Sequence, residues 1–234
     1  QIAAVDALIA DALASGREPT PVREHTSLRQ WSRLLAERAH GLDTCDFWHR
    51  QFDGGDPDLG ARRVDPATDR MRDVVVEMCF AEPDLTARLL NGPVPVTEVL
   101  AAATARALTK WRAHRGQPTP APLLALETYG RSDGVLSAGL DDSFEVDTGD
   151  TVGLLSMIYP LRVSAADARG VADQLAAIPG DPIDYGLLRH LRDDTAERLG
   201  AHRDPQILLN YLGRIDLDSA DHALLHDRAL LASV

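Results

Sequence analysis

The feature that most constrains this chain is a change of hydrophobic period near its middle. Residues 96–114, VTEVLAAATARALTKWRAH, read as one long helix. Pro95 precedes it, Glu98 sits in its first turn, and Lys110 and Arg112 lie near its end, the charge order that a helix dipole favours. Shortly afterwards the pattern becomes a short apolar run, 122–128, PLLALET, followed at once by Tyr129, Gly130 and Arg131. A long helix next to a short apolar strand needs a sheet for the strand to pair in and a sheet face for the helix to cover. The expectation is an α/β fold with a mixed sheet and helices packed on it.

The remaining elements extend the alternation. Ile2, Val5, Leu8, Ile9 and Leu13 fall at helical spacing in a segment ended by Gly16, and a polar linker with Pro19 and Pro21 follows over 17–24. Thr26 or Ser27 opens a second helix with Leu28, Trp31, Leu34 and Leu35 on one face. Phe47, Trp48 and Phe52 precede a Gly/Asp/Pro loop over 53–66. Residues 73–80, DVVVEMCF, are β-branched and bounded by turn material, so they read as a strand. A flexible acidic loop is expected over 132–150, then one or two strands over 151–163, broken near Pro160. Ser164-x-x-Asp167 resembles a capping box opening a helix to about Ile178. A short helix over 184–192 and a strand over 206–211, QILLNY, complete the readable elements, and the tail from Asp216 gives no assignment.

Composition narrows the class. The chain has 234 residues, 44% of them hydrophobic, which suits one large domain or two small lobes with a real core. Its 24 Lys plus Arg against 36 Asp plus Glu give a net charge of −12, which argues against a nucleic-acid backbone or an anionic membrane as the main partner. Cys45 and Cys79 form no CxxC, so neither a zinc ribbon nor a disulfide framework is expected, and a reduced cytosolic setting fits. No run approaches the roughly 20 apolar residues that cross a bilayer. The opening segment lacks the basic start and apolar core of a secretory signal, and without Met at position 1 it reads as a cut inside a longer chain.

Several residues carry candidate chemistry. Glu127 ends an apolar strand, where a carboxylate entering a cleft is well placed for acid/base work. Arg131, four residues on, would either grip an anionic group or simply pair with Glu127 as a strand-end ion pair. Asn210 and Tyr211 end another apolar run before Gly213; the Tyr hydroxyl would either hydrogen-bond a reacting carbonyl or keep its tip in water. His222 and His226 are an i, i+4 pair that would share a metal only if the tail were helical; lacking HExxH and a nearby third ligand, they read as two solvated histidines. Trp31, Trp48 and Trp111 read as core rather than a ligand cage. There is no GxSxG, P-loop or GxGxxG.

In order along the chain, these segments resemble the epimerization domains of nonribosomal peptide synthetases, a branch of the condensation-domain superfamily. HTSLRQWSRLLAERA resembles the stretch after that family's first lobe, TEVLAAATARAL its helix motif, and LETYGR its EGHGR motif. TVGLLSMIYPLRV resembles TVGWFTxxYPxxL, DPIDYGLLRHL resembles YGxLRYL, and LLNYLGRID resembles FNYLG. The YGLLRHL segment favours the epimerization branch over the peptide-bond-forming one.

The resemblance implies a chloramphenicol-acetyltransferase-like sandwich lobe, with residues 1–25 as lead-in helix and linker and 26–234 as the C-terminal lobe. It implies a tunnel shared with an N-terminal HHxxxDG lobe, and a peptidyl carrier protein that delivers an aminoacyl or peptidyl thioester on a phosphopantetheine arm, no cofactor being bound directly. It places the family's Glu on Glu127, its Arg on Arg131 and the Tyr of FNYLG on Tyr211, with Asn210 and Tyr129 in support. Within these residues HHxxxDG is absent, Tyr129 stands where the family has His, Ser132 where it has Glu, and Leu154-Leu155 where it has Trp-Phe. The isolated lobe is therefore expected to be inactive, since one carboxylate cannot serve both faces of a carbon. Condensation, or a lobe that only docks carrier protein, are the competing expectations, and a homodimer is one way to cover an apolar lobe face.

Overall fold

The computed structural model describes residues 2–18, 25–65, 67–138 and 145–213. Helix α1 (Ile2–Ser15) leaves Ile9 and Leu13 exposed. Helix α2 (Leu28–His40) starts where Ser27 and Gln30 form a reciprocal capping box, and buries Trp31, Leu35 and Ala39. Helices α3 (Cys45–Arg50) and α4 (Pro83–Leu90) are short, and α5 (Val96–His114) has the extent its sequence suggested. The buried stripe of α5 is Ala101, Ala102, Ala105 and Leu108, small residues that let the helix lie close to its neighbours.

Among the described residues, strand β1 (Leu123–Thr128) is central in a three-stranded mixed sheet of order β2-β1-β3. β2 (Met157–Arg162) pairs antiparallel with it, Leu124 opposite Leu161 and Glu127 opposite Ile158. β3 (Leu208–Leu209) pairs parallel, Ala125 opposite Leu208. Between the first two strands lies the short helix α6 (Asp133–Ser137); α7 (Ala168–Ala176), α8 (Ile183–His190) and α9 (Asp193–Gly200) follow β2. One core cluster gathers Leu124, Leu126, Tyr159 and Leu161 from the sheet with Ala101, Ala105, Val171, Trp48 and Leu188 from helices. A second joins Trp31 and Leu35 of α2 to Leu136, Leu155, Ile183 and Leu187.

Several sequence expectations are corrected. The strand expected over 73–80 does not form: Asp73 ends a short 3-10 turn, Met71–Asp73, and residues 74–80 belong to no strand, nothing among the described residues pairing with them and Phe80 being 86% exposed. The run 151–163 forms one strand from Met157, which accommodates Pro160 on the edge of the sheet, where a missing amide donor is tolerated. The helix expected from Ser164 starts at Ala168, capped by the Asp167 side chain on the Gly170 amide at 2.9 Å. Only Leu208–Leu209 of 206–211 is strand. Part of the loop expected over 132–150 is helix α6. Trp31 and Trp48 are buried, but Trp111 is 37% exposed and stacks under the Arg115 guanidinium. His222 and His226 lie outside the described residues.

Arg112 sits in the last turn of α5, as its charge suggested, and does more there than balance a dipole. It is almost fully buried at the end of α5, where it donates to Asp56 Oδ1 at 2.7 Å and to the Pro57 carbonyl at 2.8 Å. Asp56 Oδ2 also accepts from Gln206 Nε2 at 2.8 Å. The Gly/Asp/Pro loop is thereby tied both to α5 and to the approach of β3. A second buried anchor is Asp184 on α8, gripped by both branches of Arg38 at 2.6 and 2.7 Å.

Candidate functional site

The site is built at the C-terminal end of β1. Leu123, Leu124 and Leu126 are held in the core, and the strand carries its last residues out to a half-buried position at Glu127 and Thr128. The Glu127 carboxylate has no hydrogen bond or ion pair among the described residues. A carboxylate partly withdrawn from water and left without a partner is available for proton exchange.

Beyond it the chain turns sharply at Gly130, whose φ of +63° lies in the left-handed region. A Cβ there would overlap the Leu155 carbonyl oxygen, so the motif can pass this point only as glycine. Leu155 is buried below the crossing while Leu154 is exposed, so the two residues that stand in place of Trp-Phe have separate fates.

Arg131 turns away from Glu127. Its guanidinium donates to the carbonyls of Thr148 and Thr151, and no ion pair with Glu127 forms. Thr148 is in turn held by Asp133, through its hydroxyl at 2.6 Å and its amide at 3.2 Å. Thr26 joins the same knot: its amide donates to the Asp147 carbonyl at 2.8 Å, and its carbonyl accepts the Thr151 hydroxyl. That Asp133, Thr148, Thr151 and Thr26 tie one knot was not readable from the sequence, because they come from three separate stretches of the chain and share no motif.

The two tyrosines meet. The Tyr129 hydroxyl donates to the Tyr211 carbonyl at 3.0 Å, joining the turn after β1 to the segment after β3. Tyr211 itself is half-buried, and its hydroxyl has no partner among the described residues; Asn210 is exposed. The structure thus brings Glu127, Tyr129 and Tyr211 to the same end of two adjacent parallel strands, while Arg131 serves the neighbouring loop.

No protein-family model matches the chain. It is 28% identical over 221 residues to one of the linear gramicidin synthase proteins of Brevibacillus parabrevis, a match that covers 87% of this chain and 3% of that protein. Bacitracin synthase 2 of Bacillus licheniformis is 38% identical over 102 residues, covering 41% of this chain and 4% of the relative. Among solved structures, the epimerization domain from the third module of tyrocidine synthetase B superposes with a TM-score of 0.61 at 19% identity, covering 88% of this chain and 48% of that one. The chain has the fold of an epimerization/condensation-type domain and is related to nonribosomal peptide synthetases. It spans only a small part of the length of these synthetases, and about half of the epimerization domain it superposes on. No helix among the described residues is long and apolar enough to cross a membrane.

Proposed function

We propose that this chain is the C-terminal lobe of a domain that epimerizes an aminoacyl or peptidyl thioester carried on the phosphopantetheine arm of a carrier protein. The observation that carries this reading is the half-buried, unpartnered carboxylate of Glu127 at the end of the central strand of an epimerization-type fold. A thioester acidifies its α-hydrogen. Ionised Glu127 takes that proton on one face, and the electron pair of the C–H bond moves onto the thioester oxygen as an enolate. A second group, supplied by the HHxxxDG lobe, returns a proton on the opposite face, and the electrons fall back to restore the carbonyl with inverted configuration. In the reverse direction the two groups exchange roles. The Tyr211 hydroxyl donates to the enolate oxygen, and Tyr129 fixes the Tyr211 backbone. Neighbouring synthetase domains and the carrier protein are the partners of this reading.

The test is α-proton exchange of a carrier-bound aminoacyl thioester in D2O, followed by mass and product chirality, with the complete parent domain. Glu127→Gln keeps shape and hydrogen bonding but cannot take a proton, so inversion should fall by about 10²–10⁴-fold. Inversion at the parental rate in that variant would remove Glu127 from the chemistry. Joining of donor and acceptor thioesters without exchange would assign condensation instead, and carrier binding with neither reaction would assign docking alone.

A further inference from the structure

A cavity of about 340 Å³ opens beside the sheet, with Ala125, Ile158, Pro160, Leu208 and Pro205 among its walls. Ala125 lies opposite Pro160 on one side and Leu208 on the other, so three strands contribute adjacent residues to one apolar surface. Two residues along β1, roughly 7 Å further on, Glu127 faces Ile158 across the ladder. Ile158 is therefore shared: it is a wall of the cavity and the cross-strand partner of Glu127.

The polar part of the lining includes Tyr185, Arg189, His190 and Asp204, of which the two charged groups are paired. Arg189 Nη1 donates to the Tyr185 hydroxyl at 2.5 Å and to Asp204 Oδ1 at 2.6 Å, so the guanidinium and the carboxylate of this wall answer each other. Burial pushes the Tyr185 hydroxyl above the ordinary tyrosine range and keeps it protonated. A charged side chain entering this space would lose its water and would have to compete for groups that already answer each other, Arg189 and Asp204. A hydrogen or methyl group would leave most of the space unfilled.

We propose that this cavity receives the side chain of the thioester-bound residue whose α-carbon lies at Glu127, and that it selects aliphatic and aromatic side chains over small or charged ones. The inference rests on the reading of Glu127 as the acid/base group. It assigns Leu208, at the exposed lip, and Ile158 as residues that set substrate preference.

Binding can be measured on the 234-residue chain without any turnover. The probes are the N-acetyl-leucyl and N-acetyl-alanyl thioesters of N-acetylcysteamine, titrated by two-dimensional NMR. The leucyl probe should bind about tenfold or more tightly than the alanyl one, and Leu208→Trp, which fills the lip, should erase the difference. Leu208 is half-exposed on a two-residue edge strand, so its replacement leaves the core intact. Equal binding of the probes, no binding of either, or a preference unchanged by Leu208→Trp would overturn the proposal. Glu127→Gln separates the two readings. A leucyl preference that persists while exchange in the parent domain survives Glu127→Gln sinks the acid/base assignment and, with it, this substrate for the cavity. Loss of exchange with equal probe binding sinks the cavity assignment alone.

Discussion

Residues 123–128 and 74–80 carry similar sequences into opposite circumstances. The first run, LLALET, becomes the central strand, with neighbours on both sides and Leu124 fully buried. The second, VVVEMCF, has the higher β-propensity. It has no strand partner among the described residues, with Val75 81% and Met78 75% exposed. Propensity alone therefore does not make a strand; the supply of partners does. β1 has β2 returning through the loop fixed by Gly130 and β3 delivered by the loop after α9; residues 74–80 have no such delivery among the described residues.

The contrast is broken most forcefully by paired truncations. Leu124→Ala should cost about 2–5 kcal/mol, because it opens a cavity in the main cluster. Val75→Ala should change stability by less than about 0.5 kcal/mol. Urea midpoints of the two variants measure the gap directly. Equal losses would mean that residues 74–80 are packed in solution against something the chain itself supplies.

The next largest effect tests the turn that aligns β1 with β2. Gly130→Ala places a methyl group into the Leu155 carbonyl and forces alanine into the left-handed region. About 2–3 kcal/mol should be lost, with the Tyr129–Tyr211 hydrogen bond disturbed as well. Gly134→Ala is the control: a Cβ there meets nothing within 4 Å, and its stability should stay near the parent's in the same urea titration.

These cases also explain what could be read in advance. α5, β1 and α8 were legible because each carries its own period and its own end signals, and Glu127 was legible because a strand-end carboxylate is a local pattern. The 74–80 run misled because the sequence displays propensity but not the absence of a partner. Arg112 was read as a dipole-matched cation, whereas its burial depends on Asp56, which no local rule connects to it. The ion pair weighed between Glu127 and Arg131 does not form, because the carbonyls of Thr148 and Thr151 capture the guanidinium. The meeting of Tyr129 with Tyr211, across 82 positions, and the cavity beside Ile158 are tertiary facts with no signature along the chain.

β3 stands between the two extremes, paired with β1 but only two residues long, and its approach supplies the smallest effect. His202, just before it, places Nε2 2.7 Å from Nδ1 of His49 on α3, within hydrogen-bond distance, and the Phe52 ring stacks on its imidazole. Burial, then the neighbouring His49, depresses the His202 pKa below the usual 6.5; Arg189 and Arg198 act the same way and Asp53 opposes them. Since the unfolded chain titrates near 6.5, it binds more protons than the folded one in the window just below that value. Stability contributed by the neutral ring is therefore complete above about pH 6.5 and is lost as the pH falls through that window. Urea midpoints at about pH 7.5 and 5.5 should differ less in His202→Gln than in the parent, and the amide-exchange protection factors of Leu208 and Leu209, corrected for the intrinsic pH dependence of exchange, should fall in the parent on acidification. If the variant keeps the parent's full pH response, β3 is held instead by the Gln206–Asp56 and Arg189–Asp204 contacts, and its pairing with β1 is independent of the histidines.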